Sequence, residues 1–212
     1  MVEAQIEDRN RSRKGKPMTH APEDASGAGI DTATAAVIAG ADKAGIDLHS
    51  ILVMQRGEVI AEAYRPPFDA QTPHRMYSVT KSFTATAVGL AVADGRLRVE
   101  DRVVGIFPDL LPDPVDDHLA ALRVEHLLTM SAQHGMIGGT LPATARPVHS
   151  VAGFLAERMT LPPGSRFDYS NGCSYMLAAI VERVTGERLS DFLHRRLFDP
   201  LENATRAEAA AI

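Results

Sequence analysis

The chain has one cysteine, Cys173, so no intramolecular disulfide can form and nothing in it demands an oxidising compartment. It also lacks a long apolar run. "AVGLAVA" (87–93) and "MLAAIV" (176–181) fall well short of the roughly 18 residues a membrane helix needs, and no membrane partner is expected. Concentrated positive charge is missing too: the net charge is −5, which speaks against nucleic acid as a partner, because phosphate binding calls for basic surface. The 8 histidines are scattered without a His-Glu-x-x-His pair, so no metal site is expected. With no phosphate-binding glycine loop either, no cofactor is expected. The opening "MVEAQIEDRNRSRKGKP" carries charges where a signal peptide has its apolar stretch, which predicts a soluble cytoplasmic chain.

What remains is a globular composition. At 212 residues, with 45% hydrophobic and 23% charged residues, the chain is long enough for one substantial core. Residues 1–28 are polar, contain Pro17 and Pro22 and end in "SGAG", a flexible lead-in whose basic stretch (9–16) reads as a solvated tail. The body, residues 29–201, opens with an alanine-rich helix from Asp31, its expected N-cap, to Gly45, its expected stop. "SILVMQ" (50–55) and "EVIAEAY" (58–64), joined across Arg56-Gly57, predict a hairpin whose glycine takes the positive φ of a tight turn. Helical patterns follow over 78–95, 124–130, 150–159, 174–186 and 189–198. Residues 202–212 form an alanine-rich tail of different character. The fold class is α/β (α+β), a strand hairpin carrying a large helical region.

Chemistry is concentrated in two stretches. In "MYSVTKSF" (76–83), Ser78 and Lys81 stand three positions apart at the start of a helical pattern. On one helix face they are within reach, and serine needs a neighbour to remove its proton before it is a useful nucleophile. A helix start also favours negative charge on a nearby substrate oxygen. The pair alone does not decide the matter, since Ser-x-x-Lys arises by chance about once in a chain of this size. Serine is a common helix cap and lysine a common exposed helix former.

In "FDYSNGCSYMLAAIVERVTG" (167–186), Tyr169 to Asn171 sit between the turn-forming "PPGS" and an apolar helix. Tyr169 can present its phenol to a pocket, and Asn171 offers a donor and an acceptor for an amide or ester. Alternatively Tyr169 is a packed aromatic and Asn171 a helix cap. There is no Gly-x-Ser-x-Gly elbow, since Ser174 in "GCSYM" lacks the second glycine, which argues against an α/β-hydrolase. Cys173 reads as a small buried residue at its helix start.

"SVTK" followed about ninety residues later by "YSN" resembles the serine β-lactamase and penicillin-binding superfamily, in its class C β-lactamase, DD-peptidase and esterase branch. The hairpin "ILVMQRGEVIAEAY", the "SFTATAVGLAVADGRLRVEDRV" helix and exit, and "LRVEHLLTMSAQHG" match the branch in order, so the resemblance covers about residues 48–201. It implies a β-lactamase/transpeptidase-like fold and an acyl-enzyme serine hydrolase taking a small-molecule acyl substrate: an ester, amide or β-lactam. It further implies that Ser78 is the nucleophile, Lys81 accepts or relays its proton, Tyr169 passes a proton to the leaving group, and Asn171 orients the substrate. Either lysine or tyrosinate can be the immediate base, provided its setting shifts a reference pKa of about 10.4 or 10.

One element of the resemblance is missing. A Lys-Thr-Gly or His-x-Gly box belongs on a later strand, yet the Thr-Gly that follows Tyr169, Thr185-Gly186, reads as a helix end without a preceding Lys or His. "LFDPL" (197–201) gives way to "ENATRAEAAAI", an abrupt switch that reads as a C-terminally truncated or frame-shifted gene or a partial sequence, and the resemblance implies that the missing half carries the remaining sheet strands and one oxyanion donor. Such a donor is worth about 100 to 1,000-fold in rate. A catalytically inactive remnant, or a binding module keeping the helical region, is therefore the alternative expectation. An unrelated helical domain would need both motifs to be accidents.

Overall fold

Alternating strand residues and helix-spaced apolar residues fall in different stretches of the chain, and the elements follow that division. The computed structural model describes residues 19–20, 28–133 and 150–201. Most of the expected lead-in and all of the alanine-rich tail from 202 lie outside the described residues. Internal contacts divide the chain into Met1–His74 and Arg75–Ile212.

In the first unit, helix α1 spans Ala28–Ala44, so Asp31 lies within it and is not its cap. Asp31 instead sits in the first turn, where the positive end of the helix favours an acidic residue as it does at the cap. Its end is as expected: Gly45 has φ 70°, and Ile46 N–H donates to the Ala41 carbonyl at 2.9 Å, closing the helix through a left-handed residue. Strands β2 (Ser50–Gln55) and β3 (Glu58–Tyr64) are antiparallel, paired from Ser50 with Tyr64 to Gln55 with Glu58. Both turn residues have positive φ, 54° at Arg56 and 86° at Gly57, matching the right-handed strand twist. A two-residue strand, β1 (Thr19–His20), pairs along the other edge of β3, giving the order β1-β3-β2. Two residues carry no alternation, so the sequence does not announce that strand. Beyond β3, buried Arg65 donates to the Asp42 carboxylate and, through Nε at 3.1 Å, to the Leu48 carbonyl.

The second unit holds the main core. Helix α2 spans Thr80–Ala93 and buries Thr84, Ala87, Val88 and Ala91, a stripe of small residues that lets a neighbour come close. Asp94-Gly95, with φ 68° at the glycine, ends it. Short helices α3 (Val103–Ile106), α4 (Asp117–Ala121), α5 (Val124–Leu128) and α6 (Val151–Leu155) follow. Helix α7 spans Asn171–Thr185, and its buried Cys173, Met176, Leu177, Ile180 and Val181 recur at helical spacing and form one apolar face. It packs against α2. Gly186, at φ 76°, ends α7, so Thr185-Gly186 is a helix stop. Helix α8 (Leu189–Leu193) and a π-helical turn, His194–Phe198, complete the described chain.

Phe154 on α6 shows how tightly this core is fitted. It is 1% exposed, and a Cβ added to Gly172 of α7 would stand 3.1 Å from its ring, closer than carbon atoms normally pack. Phe154→Ala is expected to lower unfolding free energy by about 3–5 kcal/mol in urea titration, because the ring leaves a cavity that backbone cannot fill. A loss below about 1 kcal/mol would mean this part of the core collapses freely. Among the described residues no helix is long and apolar enough to cross a membrane, and no group of three His, Cys, Asp or Glu side chains could hold a metal ion.

Candidate active site

The start of α2 is built unusually. A 3₁₀ turn, Tyr77–Val79, precedes it, and Tyr77 holds φ 45°, a left-handed conformation that costs a non-glycine residue about 1–2 kcal/mol. Strain of this kind collects where backbone geometry serves a purpose. The next residue, Ser78, is exposed, and its backbone N–H falls in the first turn, where helical acceptors are absent. No side chain caps this helix start. The capping alternative for Ser78 therefore fails, and its hydroxyl is engaged elsewhere.

Two side chains reach it. Lys81, one helical turn on, donates from Nζ to Ser78 Oγ at 3.1 Å. Tyr169, 91 residues away in sequence, brings its Oη to 2.5 Å from the same Oγ. The lysine Nζ also lies 5.2 Å from the centre of the Tyr169 ring, so the three groups form one cluster. With the ammonium donating to Oγ, the serine's own proton can point at the phenol oxygen.

Tyr169 is delivered by the start of α7. Ser170 is buried and its Oγ accepts from Cys173 N–H at 3.2 Å, capping the helix and fixing how the chain enters it. Asn171, the alternative cap, is instead the first helical residue. The residue on the other side of the tyrosine, Asp168, donates its N–H to the Met130 carbonyl at 2.7 Å. Tyr169 is thus pinned on both sides while its side chain remains 43% exposed.

Charge follows from this arrangement. Hydrogen bonding from Lys81, and next from Ser78, stabilises the phenolate and holds the Tyr169 phenol below its ordinary value of 10.0, against the opposing effect of desolvation. Cys173, 1% exposed, is pushed the other way by burial, which leaves it a buried thiol rather than a nucleophile. Asn171 is exposed and lies outside the hydrogen-bonded trio, two residues from Tyr169 in the chain. Of the four residues singled out in the sequence, three are joined by hydrogen bonds and the fourth is adjacent. Ser170 was hidden inside the Tyr-Ser-Asn triplet, although a serine immediately before an apolar helix is itself a capping signal.

An exposed serine, a lysine one turn on and a lowered phenol give Oγ two proton partners in a helix start. The Beta-lactamase family model matches residues 33–208. The chain belongs to the Beta-lactamase family.

Its relatives in the family divide among several activities. It is 27% identical over 168 residues to the 6-aminohexanoate-dimer hydrolase of Paenarthrobacter ureafaciens, covering 72% of this chain and 42% of that protein. Penicillin-binding protein 4 of Amycolatopsis lactamdurans is 30% identical over 161 residues, covering 73% and 40%. Esterase EstB of Burkholderia gladioli is 28% identical over 173 residues, covering 72% and 43%. The chain therefore spans about two fifths of the length of these curated relatives. Among solved structures, a penicillin-binding protein homolog from Caulobacter crescentus superposes with a TM-score of 0.68 at 23% identity, covering 88% of this chain and 51% of that one. The octameric penicillin-binding protein homologue from Pyrococcus abyssi gives 0.62 at 24% identity, covering 82% and 43%. The fold is accordingly β-lactamase/transpeptidase-like, represented here by part of its length.

Proposed function

We propose that this member of the family is a serine hydrolase that forms an acyl-enzyme on Ser78 and accepts a small ester, amide or lactam. The observation that carries the reading is the convergence of Lys81 Nζ and Tyr169 Oη on one serine oxygen, at 3.1 and 2.5 Å. In the acylation step the Ser78 hydroxyl proton passes to the Tyr169 oxygen while Oγ bonds to the substrate's carbonyl carbon. The tetrahedral centre then expels its leaving group, which takes the proton back from Tyr169, and the acyl group stays on Oγ. Water then gives a proton to the Tyr169 oxygen as it bonds to the acyl carbon, the Oγ–acyl bond breaks, and Ser78 Oγ takes that proton back as the acid leaves. Asn171 orients the substrate's amide or ester. Tyrosinate is the proposed immediate base because the phenol oxygen stands nearer Ser78 Oγ than the lysine nitrogen does, 2.5 against 3.1 Å, and hydrogen bonds from Lys81 and Ser78 lower the phenol.

The relatives, named as a 6-aminohexanoate-dimer hydrolase, a penicillin-binding protein and an esterase, support hydrolysis at the level of the family. Activated esters need the least leaving-group assistance, so a p-nitrophenyl ester is the expected best substrate. Turnover of p-nitrophenyl acetate, a p-nitroanilide and a chromogenic cephalosporin should be compared by absorbance, with the ester hydrolysed above buffer background. No turnover of any of the three would overturn the reading. A second reading, a binding module that retains the helical region without turnover, draws on the limited coverage of the relatives, 40–43% of their length. Stoichiometric acylation without release, or ligand binding without acylation, is what it predicts.

A further inference from the structure

The segment Met130–Gln133, which leaves α5, has two non-glycine residues in the left-handed region, Met130 at φ 50° and Gln133 at φ 62°. It runs beside the stretch leading to Tyr169 and takes up its backbone donors in turn. Met130 O accepts from Asp168 N–H at 2.7 Å, Ser131 O from Gly164 N–H at 2.8 Å, and Gln133 O from Thr160 N–H at 3.0 Å. Between these backbone bonds stands one from a side chain: Gln133 Nε2 donates to the carbonyl of Arg166, three residues before Tyr169.

Gln133 is costly where it is. It is 2% exposed, and among the described residues its Oε1 has no hydrogen-bond partner, a loss that buried amides normally avoid. Its positive φ favours glycine. A residue that breaks both rules is better explained by what its side chain holds than by packing alone. What it holds is the Arg166 carbonyl, the anchor of the stretch Arg166–Asp168 that leads directly into Tyr169.

We propose that Gln133 is a positioning residue for the proton relay: by clamping the Arg166 carbonyl it sets where the Tyr169 hydroxyl stands relative to Ser78 and Lys81. The proposal rests on the relay reading of that cluster. Without the clamp, Arg166–Asp168 keeps the Asp168 N–H bond to the Met130 carbonyl and the Arg166–Asp168 ion pair, which lies within the stretch and does not tie Arg166 to the Met130–Gln133 segment, and the phenol drifts from the ammonium that lowers its pKa.

The test uses the full chain labelled with ¹³Cζ-tyrosine. Of its 4 tyrosines, Tyr169 is assigned as the resonance lost in Tyr169→Phe, and each is titrated by NMR. In Gln133→Met, which keeps length and removes the donor, the Tyr169 midpoint is expected to move up toward that of an ordinary tyrosine. For p-nitrophenyl acetate, kcat is expected to fall about 10 to 100-fold with KM within about twofold, the signature of a misplaced catalytic group rather than lost binding. A folded Gln133→Met with an unmoved Tyr169 midpoint and unchanged kcat overturns the proposal. If Gln133→Met does not fold, Gln133→Asn and Gln133→Glu carry the same readouts, and failure of all three to fold assigns Gln133 to the fold alone and also overturns it. A shifted midpoint in a chain whose wild type hydrolyses nothing would uphold the clamp and sink the hydrolase reading, so the two fail separately.

Discussion

Ser78→Ala is expected to reduce ester hydrolysis to buffer background, a loss on the order of 10⁴-fold or more relative to the wild type. The size follows from what the hydroxyl does. Lys81 and Tyr169 both direct their polar atoms at Ser78 Oγ, and neither is itself placed as a nucleophile, so removing the oxygen removes the group on which the acyl bond forms. The variant should fold normally: Ser78 is exposed and caps no helix, so its thermal unfolding should match that of the wild type within about 0.5 kcal/mol. Residual hydrolysis within about tenfold of wild type, in a folded variant, would mean that another residue is acylated or that the ester is cleaved without a covalent step.

Tyr169→Phe is the second large expectation. The ring stays and only the hydroxyl is lost, and kcat/KM is expected to fall about 10² to 10⁴-fold, the contribution of a positioned general base and acid. The pH profile sharpens it. A protonated phenol cannot take the serine proton, so kcat/KM should climb as pH rises through the phenol pKa and level off above it. Lys81, then Ser78, lower that pKa from 10.0, so the ascending limb belongs below pH 10. In Lys81→Met the main cause of the lowering is gone, and the limb should move to higher pH. In Tyr169→Phe it should vanish. An unchanged limb in Tyr169→Phe would transfer the role of base to Lys81.

These expectations draw on parts of the sequence that were legible for different reasons. The pairing of Ser78 with Lys81 could be read locally, because residues three apart on a helix share a face whatever the rest of the chain does. Tyr169 could not: no periodicity links positions 91 apart, and only the ordered resemblance of "SVTK" and "YSN" to a family joined them. The hairpin was visible in its alternation and in Gly57, yet Arg56 at φ 54° was not, since its side chain gives no sign of the conformation its neighbour's turn imposes. The start of α1 at Ala28 rather than Asp31 was hidden because an aspartate is favoured both at a helix cap and within the first turn. The Met130–Gln133 segment was the least legible feature. It acts mainly through main-chain carbonyls, which every residue possesses, and the positive φ of Gln133 is not displayed by its side chain.

The central claim is that Ser78 becomes acylated. Intact-mass spectrometry of the full chain, quenched in acid after mixing with p-nitrophenyl acetate or a penicillin and followed by peptide mapping, tests it most directly. The account predicts a mass increase equal to one acyl group, located on the peptide that contains Ser78, absent in Ser78→Ala and slower to form in Tyr169→Phe. An adduct on any other residue, or none with either reagent at any pH where the chain is folded, would contradict it.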